Sequence, residues 1–393
     1  MPRSTINVTK TFLPPIEEYT ALLKSSWDRG SITNNGLLLQ EFEQKLKDYL
    51  GVPHTVVTTN GTLPLQIALK LLGGKGEIIT TPFSYVATTS SIVWEGCTPV
   101  FVDIHPEYLT IDETKIEAAI TPRTTAILAA HVFGNPCNVE AIERIALKHS
   151  LKVIYDAAHC FGVKYKGRSI FNYGDVSTCS FHATKIFHTG EGGAMFTKDT
   201  ELNHKLFYSH NFGHSSPSSF HGVGINAKTS EMQAALGLAL FPYIETIYAE
   251  RRKVVEQYDN LLESSKLRTI SIRPHTEWNS SYYPVIFETE AQALDVIAAL
   301  GEQDIVPRRY FYPSLNTIDY ANGAAMPISE SIASRILCLP LYVGLQPADI
   351  RRISRIVNLA TNKVFFKKKS KVYIDKLVFT RTGSNESQVF GRR

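Results

Sequence analysis

CSFHATKIFHTGEGGAM, running from Cys179 to Met195, sets a single lysine, Lys185, between a small polar run and a glycine-rich turn, Gly190-Glu191-Gly192-Gly193. Short neighbours leave an amine reachable by a flat, anionic partner. A buried lysine with a lowered pKa can form a Schiff base with an aldehyde. By itself the same stretch also reads as a solvated lysine beside an ordinary Gly-Gly turn. Its neighbours along the chain decide between the two.

Upstream, short apolar or β-branched runs alternate with helical patterns. Thr55–Thr59 reads as a strand, followed by Asn60-Gly61-Thr62 and a helix carrying Leu63, Leu65, Ala68, Leu69 and Leu72 on its apolar side. Glu77–Thr81, Pro99–Val102, Ala126–Ala130 and Val153–Tyr155 read as further strands. Val86–Trp94, Glu113–Ile120 and Val139–His149 read as helices between them. This grammar predicts an α/β domain on a largely parallel sheet buried on both faces. From about residue 245 the grammar changes. A long helix, Glu245–Leu262, leads to a smaller α+β unit with strands at Tyr282–Phe287 and Arg335–Leu339 and helices at Ala291–Leu300 and Pro347–Lys363. The expected division is 1–244, with the N-terminal segment included, then 245–363, then a tail over 364–393.

Composition sets the limits. The chain has 393 residues, 44% hydrophobic and 20% charged, an ordinary globular balance. The net charge of +4 is local: the tail holds eight Lys/Arg against two Asp/Glu, leaving 33 against 35 in the rest. The main body is therefore not basic, and no nucleic-acid partner is expected. The tail reads as a solvated extension or as a contact to an acidic partner, and Val372–Thr380 within it can pair as a strand. No apolar run reaches membrane-spanning length, so no membrane insertion is expected. Five widely spaced cysteines form neither a disulfide framework nor a metal pattern, which points to the cytoplasm and to no metal.

In open α/β sheets ligands sit beyond the carboxyl ends of the strands, and the sharp residues lie there. Gly61-Thr62 opens a helix where free N–H groups favour a phosphate, or serves as a plain N-cap. Tyr85 follows a strand and can stack on a flat ring, or pack in the core. Asp156 ends a strand and can keep a pyridine nitrogen protonated, or cap a loop. His159 can cover the other ring face or bond its phenolic oxygen, or be a satisfied buried histidine; His131 is another strand-end residue. Together with Lys185, 29 residues after Asp156, the phosphate cradle, stacking ring and carboxylate describe pyridoxal 5'-phosphate. No dinucleotide, P-loop or zincin pattern competes.

The stretches TNGTLPLQIAL (59–69), TTPFSYVATTSSI (80–92), VIYDAAHCFG (153–162), SFHATKIFHTGEGGAMF (180–196), NAKTSEMQAALG (226–237) and VPRRYFYPSLN (306–316) resemble the sugar aminotransferases of the DegT/DnrJ/StrS family over residues 30–360. The resemblance implies the type I (aspartate aminotransferase-like) fold, with a mixed, mostly parallel seven-stranded sheet and a smaller C-terminal domain. It makes Lys185 the Schiff-base lysine, Asp156 the partner of the pyridinium nitrogen and Tyr85 the stacking aromatic. Gly61, Thr62 and Ser180 become phosphate binders. Asn226 matches an asparagine that crosses a dimer interface to the phosphate, which implies a homodimer with shared active sites. Arg308, Tyr310 and Tyr312 fall in a segment lining the sugar-nucleotide site. Two departures stand out: His159 replaces a frequent Gln, and Lys228-Thr229 replaces a frequent Arg-Met.

The implied reaction moves the amino group of L-glutamate to C4 of a nucleotide-linked 4-keto-6-deoxy sugar, with dTDP-4-keto-6-deoxy-D-glucose the expected acceptor, in polysaccharide or glycoside biosynthesis. Alternatives are a C3-specific aminotransferase, a lyase or desulfurase on the same fold, and a non-catalytic binding protein that keeps the fold. Intact Lys185 and Asp156 argue against the last.

Overall fold

The computed structural model describes residues 5–262, 267–321 and 323–362. The basic tail and the strand expected at Val372–Thr380 lie outside the described residues.

Alternating apolar runs build the central sheet. Its strands are β1 (His54–Thr58), β2 (Glu77–Thr80), β3 (Thr98–Phe101), β4 (Thr124–Ala130), β5 (Lys152–Asp156), β6 (Val176–Ser180) and β7 (Gly193–Thr197). They lie in the order β1-β7-β6-β5-β4-β2-β3. β7 runs antiparallel to both its neighbours, and the other pairs are parallel. The sheet is thus mixed and mostly parallel, with seven strands, as expected. Its two faces are read out by side-chain alternation. Val57, Ile79, Ile127 and Val153 enter one apolar core, while Val56, Ile78, Ala126 and Ile154 enter another.

Helices cover both faces. They are α1 (Ile16–Arg29), α2 (Leu37–Leu50), α3 (Leu63–Leu72), α4 (Val86–Trp94), α5 (Val139–His149), α6 (Thr200–Ser209) and α7 (Glu231–Leu240). Local chemistry fixes their starts. The Asn138 side chain accepts from the Ala141 N–H to open α5, and Asp199 accepts from Leu202 to open α6. α2 is capped from a distance: the buried Glu231 carboxylate accepts the N–H groups of Leu38 and Leu39 and the hydroxyl of Ser26. The helix expected over Glu113–Ile120 is α-helical only at Glu113–Ile116 and tightens into a 3-10 turn at Glu117–Ala119. Pro122 follows closely and cannot continue a helix.

A long helix, α8 (Ile244–Leu261), leads into a second apolar core with strands β8 (Leu267–Thr269), β9 (Tyr283–Phe287) and β10 (Ile336–Leu339), which pair antiparallel in that order. Helices α9 (Glu290–Gly301), α10 (Pro327–Arg335) and α11 (Pro347–Asn362) complete the unit. Ile6 belongs to this second core, and Ile6–Asn7 pairs in parallel with Ile305–Val306. Buried Arg251 on α8 donates to the carbonyls of Ser280, Ser281 and Leu341 at 2.7–3.0 Å. It thereby fixes the chain entering β9 and the chain leaving β10, the first of which carries a residue of the site.

Candidate active site

The carboxyl ends of β1, β2, β4, β5 and β6 open into a cleft of about 420 Å³, closed from the other side by Tyr282, Arg308, Tyr310 and Phe311. This is the size of a small-molecule site. Of the residues singled out from sequence, Gly61, Thr62, Tyr85, Asp156, His159, Ser180, Lys185, Arg308 and Tyr310 all line it.

Lys185 sits in the loop between β6 and β7. The loop braces itself: Phe181 N–H donates to Gly192 O, Ala183 N–H to Gly190 O and Lys185 N–H to His182 O, at 2.7–2.8 Å. Beneath it Phe181 and Phe187 pack against Phe42 and Phe161. This aromatic floor holds the loop still. Burial lowers the Lys185 pKa below its ordinary value, and the neighbouring Tyr310 and Asp156 oppose the shift without cancelling it. Its Nζ lies 3.4 Å from the Tyr282 hydroxyl.

Asp156 is buried at the end of β5. One carboxylate oxygen accepts from the Thr88 hydroxyl at 2.6 Å, the other from the Ala158 N–H at 3.1 Å. Thr88 stands three residues after Tyr85, the extended N-cap residue from which α4 begins. The Tyr85 ring is 58% exposed along the cleft wall.

The turn after β1 is built differently from the sequence expectation. Thr62 makes no capping bond with its side chain. Instead Asn60 Oδ1 accepts the N–H groups of both Thr62 and Leu63, at 2.9 and 3.0 Å. Those two donors are therefore not free, while the Thr62 side chain remains exposed at the cleft. Gly61 lies so close to β6 that a β-carbon on it would stand 2.7 Å from Ser180 Cβ. Glycine is needed there because two backbones meet.

His159 packs between rings. It lies 4.9 Å from Tyr282 edge-on and 5.7 Å from Phe311 in parallel. Its Nδ1 accepts the Phe133 N–H at 3.1 Å. Burial, and then the charge of Lys185, push its pKa well below the ordinary value. His131 also borders the cleft, while its buried ring stacks on Tyr155 at 4.5 Å and its Nδ1 accepts the Cys137 N–H.

Two expected residues stand apart. Tyr312 is 52% exposed and lies under the Arg309 guanidinium, outside the cleft lining. Arg309 is itself bonded to Glu290 and to the Ser334 carbonyl, so Arg308 is the arginine of this segment that faces the cleft. Asn226 is exposed on a segment bridged to Asn211 and does not line its own chain's cleft. Sequence reading missed Thr88, Tyr282 and Phe311. For Thr88 a signal exists in its spacing from Tyr85. Tyr282 and Phe311 arrive by packing and leave no local signal.

The DegT/DnrJ/EryC1/StrS aminotransferase family matches residues 15–358, and the chain belongs to this family. It is 42% identical over 347 residues to the dTDP-4-amino-4,6-dideoxy-D-glucose transaminase of Shigella dysenteriae, covering 86% of this chain and 95% of that one. The Escherichia coli protein of the same description is 38% identical, covering 90% and 98%. Among solved structures, that of DesI in the presence of its TDP-sugar product superposes with a TM-score of 0.86 at 31% identity, covering 92% of this chain and 94% of that one. The fold is that of the pyridoxal-phosphate aminotransferases.

Proposed function

We propose that this chain is a pyridoxal-phosphate-dependent aminotransferase. It moves the amino group of L-glutamate to C4 of a nucleotide-linked 4-keto-6-deoxy sugar, best dTDP-4-keto-6-deoxy-D-glucose, giving dTDP-4-amino-4,6-dideoxy-D-glucose. The observation that carries the reading is the convergence on one cleft of a half-buried lysine with a lowered pKa and a strand-end carboxylate fixed by Thr88. The two transaminase relatives support the choice of sugar and nucleotide.

The residues present fit the cofactor. Gly61 and Ser180 form a backbone-on-backbone cradle that a β-carbon would fill, with the Thr62 hydroxyl beside it. These residues would hold the phosphate, Tyr85 would cover one ring face, and Asp156 would meet the ring nitrogen. When bound, pyridoxal phosphate supplies an electron sink for the carbon losing its proton. Lys185 Nζ would hold the cofactor, and the same amine is the group that would take the α-proton of glutamate and later deliver a proton to the sugar carbon being aminated. Its lowered pKa favours the free amine that this task needs. Asp156 would face the ring nitrogen with its orientation fixed, because Thr88 and Ala158 hold both its oxygens. Arg308 and Tyr310 line the cleft, where Arg308 would meet the sugar-nucleotide diphosphate and Tyr310 the sugar.

Asn226 supports a homodimer with shared sites. It is exposed and does not line its own cleft, and Phe212, Phe220, Val223 and Ile225 on the same segment expose apolar surface. Five buried free cysteines fit a reducing compartment, the cytoplasm. The test is glutamate-dependent turnover against a panel of nucleotide-linked 3-keto and 4-keto-6-deoxy sugars, with product structure read by NMR. Amination at C3, or no 2-oxoglutarate with any acceptor, overturns the reading.

A further inference from the structure

The stretch Asn226–Gly237 contains a side chain whose hydrogen bonds exceed what its own helix needs. Gln233 is the third residue of α7 and completes a capping box with Ser230. Its Oε1 accepts the Ser230 N–H at 3.1 Å, and its own N–H donates to Ser230 Oγ at 3.3 Å. A glutamate would satisfy that helix start equally well. The amide adds a donor that glutamate lacks, and the structure uses it. Nε2 donates to the carbonyl of Glu191 at 2.6 Å and to that of Thr59 at 3.1 Å.

These two carbonyls belong to the two turns that face each other across the phosphate end of the cleft. Thr59 immediately precedes Asn60-Gly61-Thr62. Glu191 lies in the glycine turn that follows Lys185. The two segments meet closely, since a β-carbon on Gly193 would strike the Asn60 carbonyl and one on Gly61 would strike Ser180 at the end of β6. Glycines permit that approach but do not hold it. We infer that Gln233 is a positioning residue for the cofactor phosphate: one amide clamps the Asn60–Thr62 turn to the Lys185 loop at the spacing a phosphate requires. The inference rests on the aminotransferase reading above. It adds a residue that touches neither cofactor nor substrate and acts through the Thr59 and Glu191 carbonyls.

The test compares two probes on the full chain freed of cofactor: pyridoxal phosphate, and pyridoxal, which has the same aldehyde and ring but no phosphate. Uptake of each is followed as the covalent adduct at Lys185, fixed with borohydride and read by mass. Gln233→Glu keeps the capping acceptor and turns an oxygen toward the two carbonyls. It weakens pyridoxal phosphate about tenfold or more, as loss of two amide hydrogen bonds implies, and leaves pyridoxal within about twofold. Gln233→Met, of similar length and without charge, shows the same selective loss and serves if the glutamate variant does not fold. Parallel loss of both probes makes the role merely structural and overturns the inference, as does unchanged binding of both. A wild-type chain that takes up neither probe overturns the aminotransferase reading itself, and the inference falls with it.

Discussion

The Thr88 hydroxyl donates a 2.6 Å hydrogen bond to Asp156, across 68 residues of sequence. It leaves that carboxylate oxygen one orientation. Thr88→Val removes the donor and keeps the shape. Hydrogen bonds to charged groups contribute about 1.5–3 kcal/mol, and the Ala158 N–H still holds the other oxygen. The expected outcome is a fall in kcat of roughly tenfold with little change in thermal stability, and recovery in Thr88→Ser. Steady-state rates with glutamate check it. A valine variant with full kcat would show that the carboxylate does not need this partner.

His159 behaves as a neutral donor. Its Nδ1 accepts a backbone N–H, so the proton of the uncharged ring sits on Nε2. Burial and the charge of Lys185 hold its pKa well below the ordinary value, which favours the uncharged ring. A glutamine amide offers the same donor, which accounts for either residue serving at this place. His159→Gln should keep kcat within about threefold and His159→Leu should lose about tenfold or more. The pH–rate profiles of wild type and His159→Gln should coincide. An inflection near the usual histidine pKa, present in wild type and absent in the glutamine variant, would refute this account.

Much of the large domain was legible because its signals are local. α3 forms over the residues whose apolar side the sequence shows, Leu63 to Leu72, since Asn60 and Pro64 start it and Gly73 follows it. The ends of β4 and β5 show in their apolar runs. α7 is nearly all buried and apolar around its circumference, so it has no periodic stripe to read. α1 has few apolar residues and gains its place from Glu231, 205 residues beyond Ser26. In the site, Lys185 and Asp156 stood out because a glycine turn and a strand end mark them. Tyr310 and Tyr312 look equivalent in sequence. Only the folded loop turns Tyr310 into the cleft and leaves Tyr312 under Arg309.

Tyr282 is the nearest hydrogen-bonding side chain to the Lys185 amine, at 3.4 Å. Burial raises its pKa above the ordinary phenol value, so it remains protonated and contributes a neutral dipole. In the proposed reaction that dipole would orient the amine. Tyr282→Phe keeps the ring contacts with His159 and Tyr310 and loses only the hydroxyl. The expected effect is a three- to tenfold lower kcat, about 1 kcal/mol, with KM for glutamate unchanged. A raised KM at constant kcat would assign the hydroxyl to substrate binding instead.

Glu43 gives the fold a pH dependence separate from catalysis. It projects from α2 toward β1, the edge strand of the sheet, where its Oε1 accepts the Val57 N–H at 2.9 Å. Burial pushes its pKa from the ordinary 4.5 up to about 7, against the opposing effects of the Val57 N–H and Lys47. Between those values the folded chain binds more protons than the unfolded one. The group's contribution is therefore most favourable below about pH 4.5 and is lost as pH rises through about 7. Glu43→Gln keeps an acceptor for Val57 and cannot ionise. At pH 8 it should be more stable than wild type by about 1–2 kcal/mol, a value discounted for the partial exposure of the carboxyl. The difference should shrink toward zero as pH falls through about 4.5, where Glu43 becomes protonated in both states. Urea unfolding midpoints at the two pH values check this. An equal difference at both, or a less stable variant at pH 8, would mean that the Val57 bond outweighs the burial of the charge.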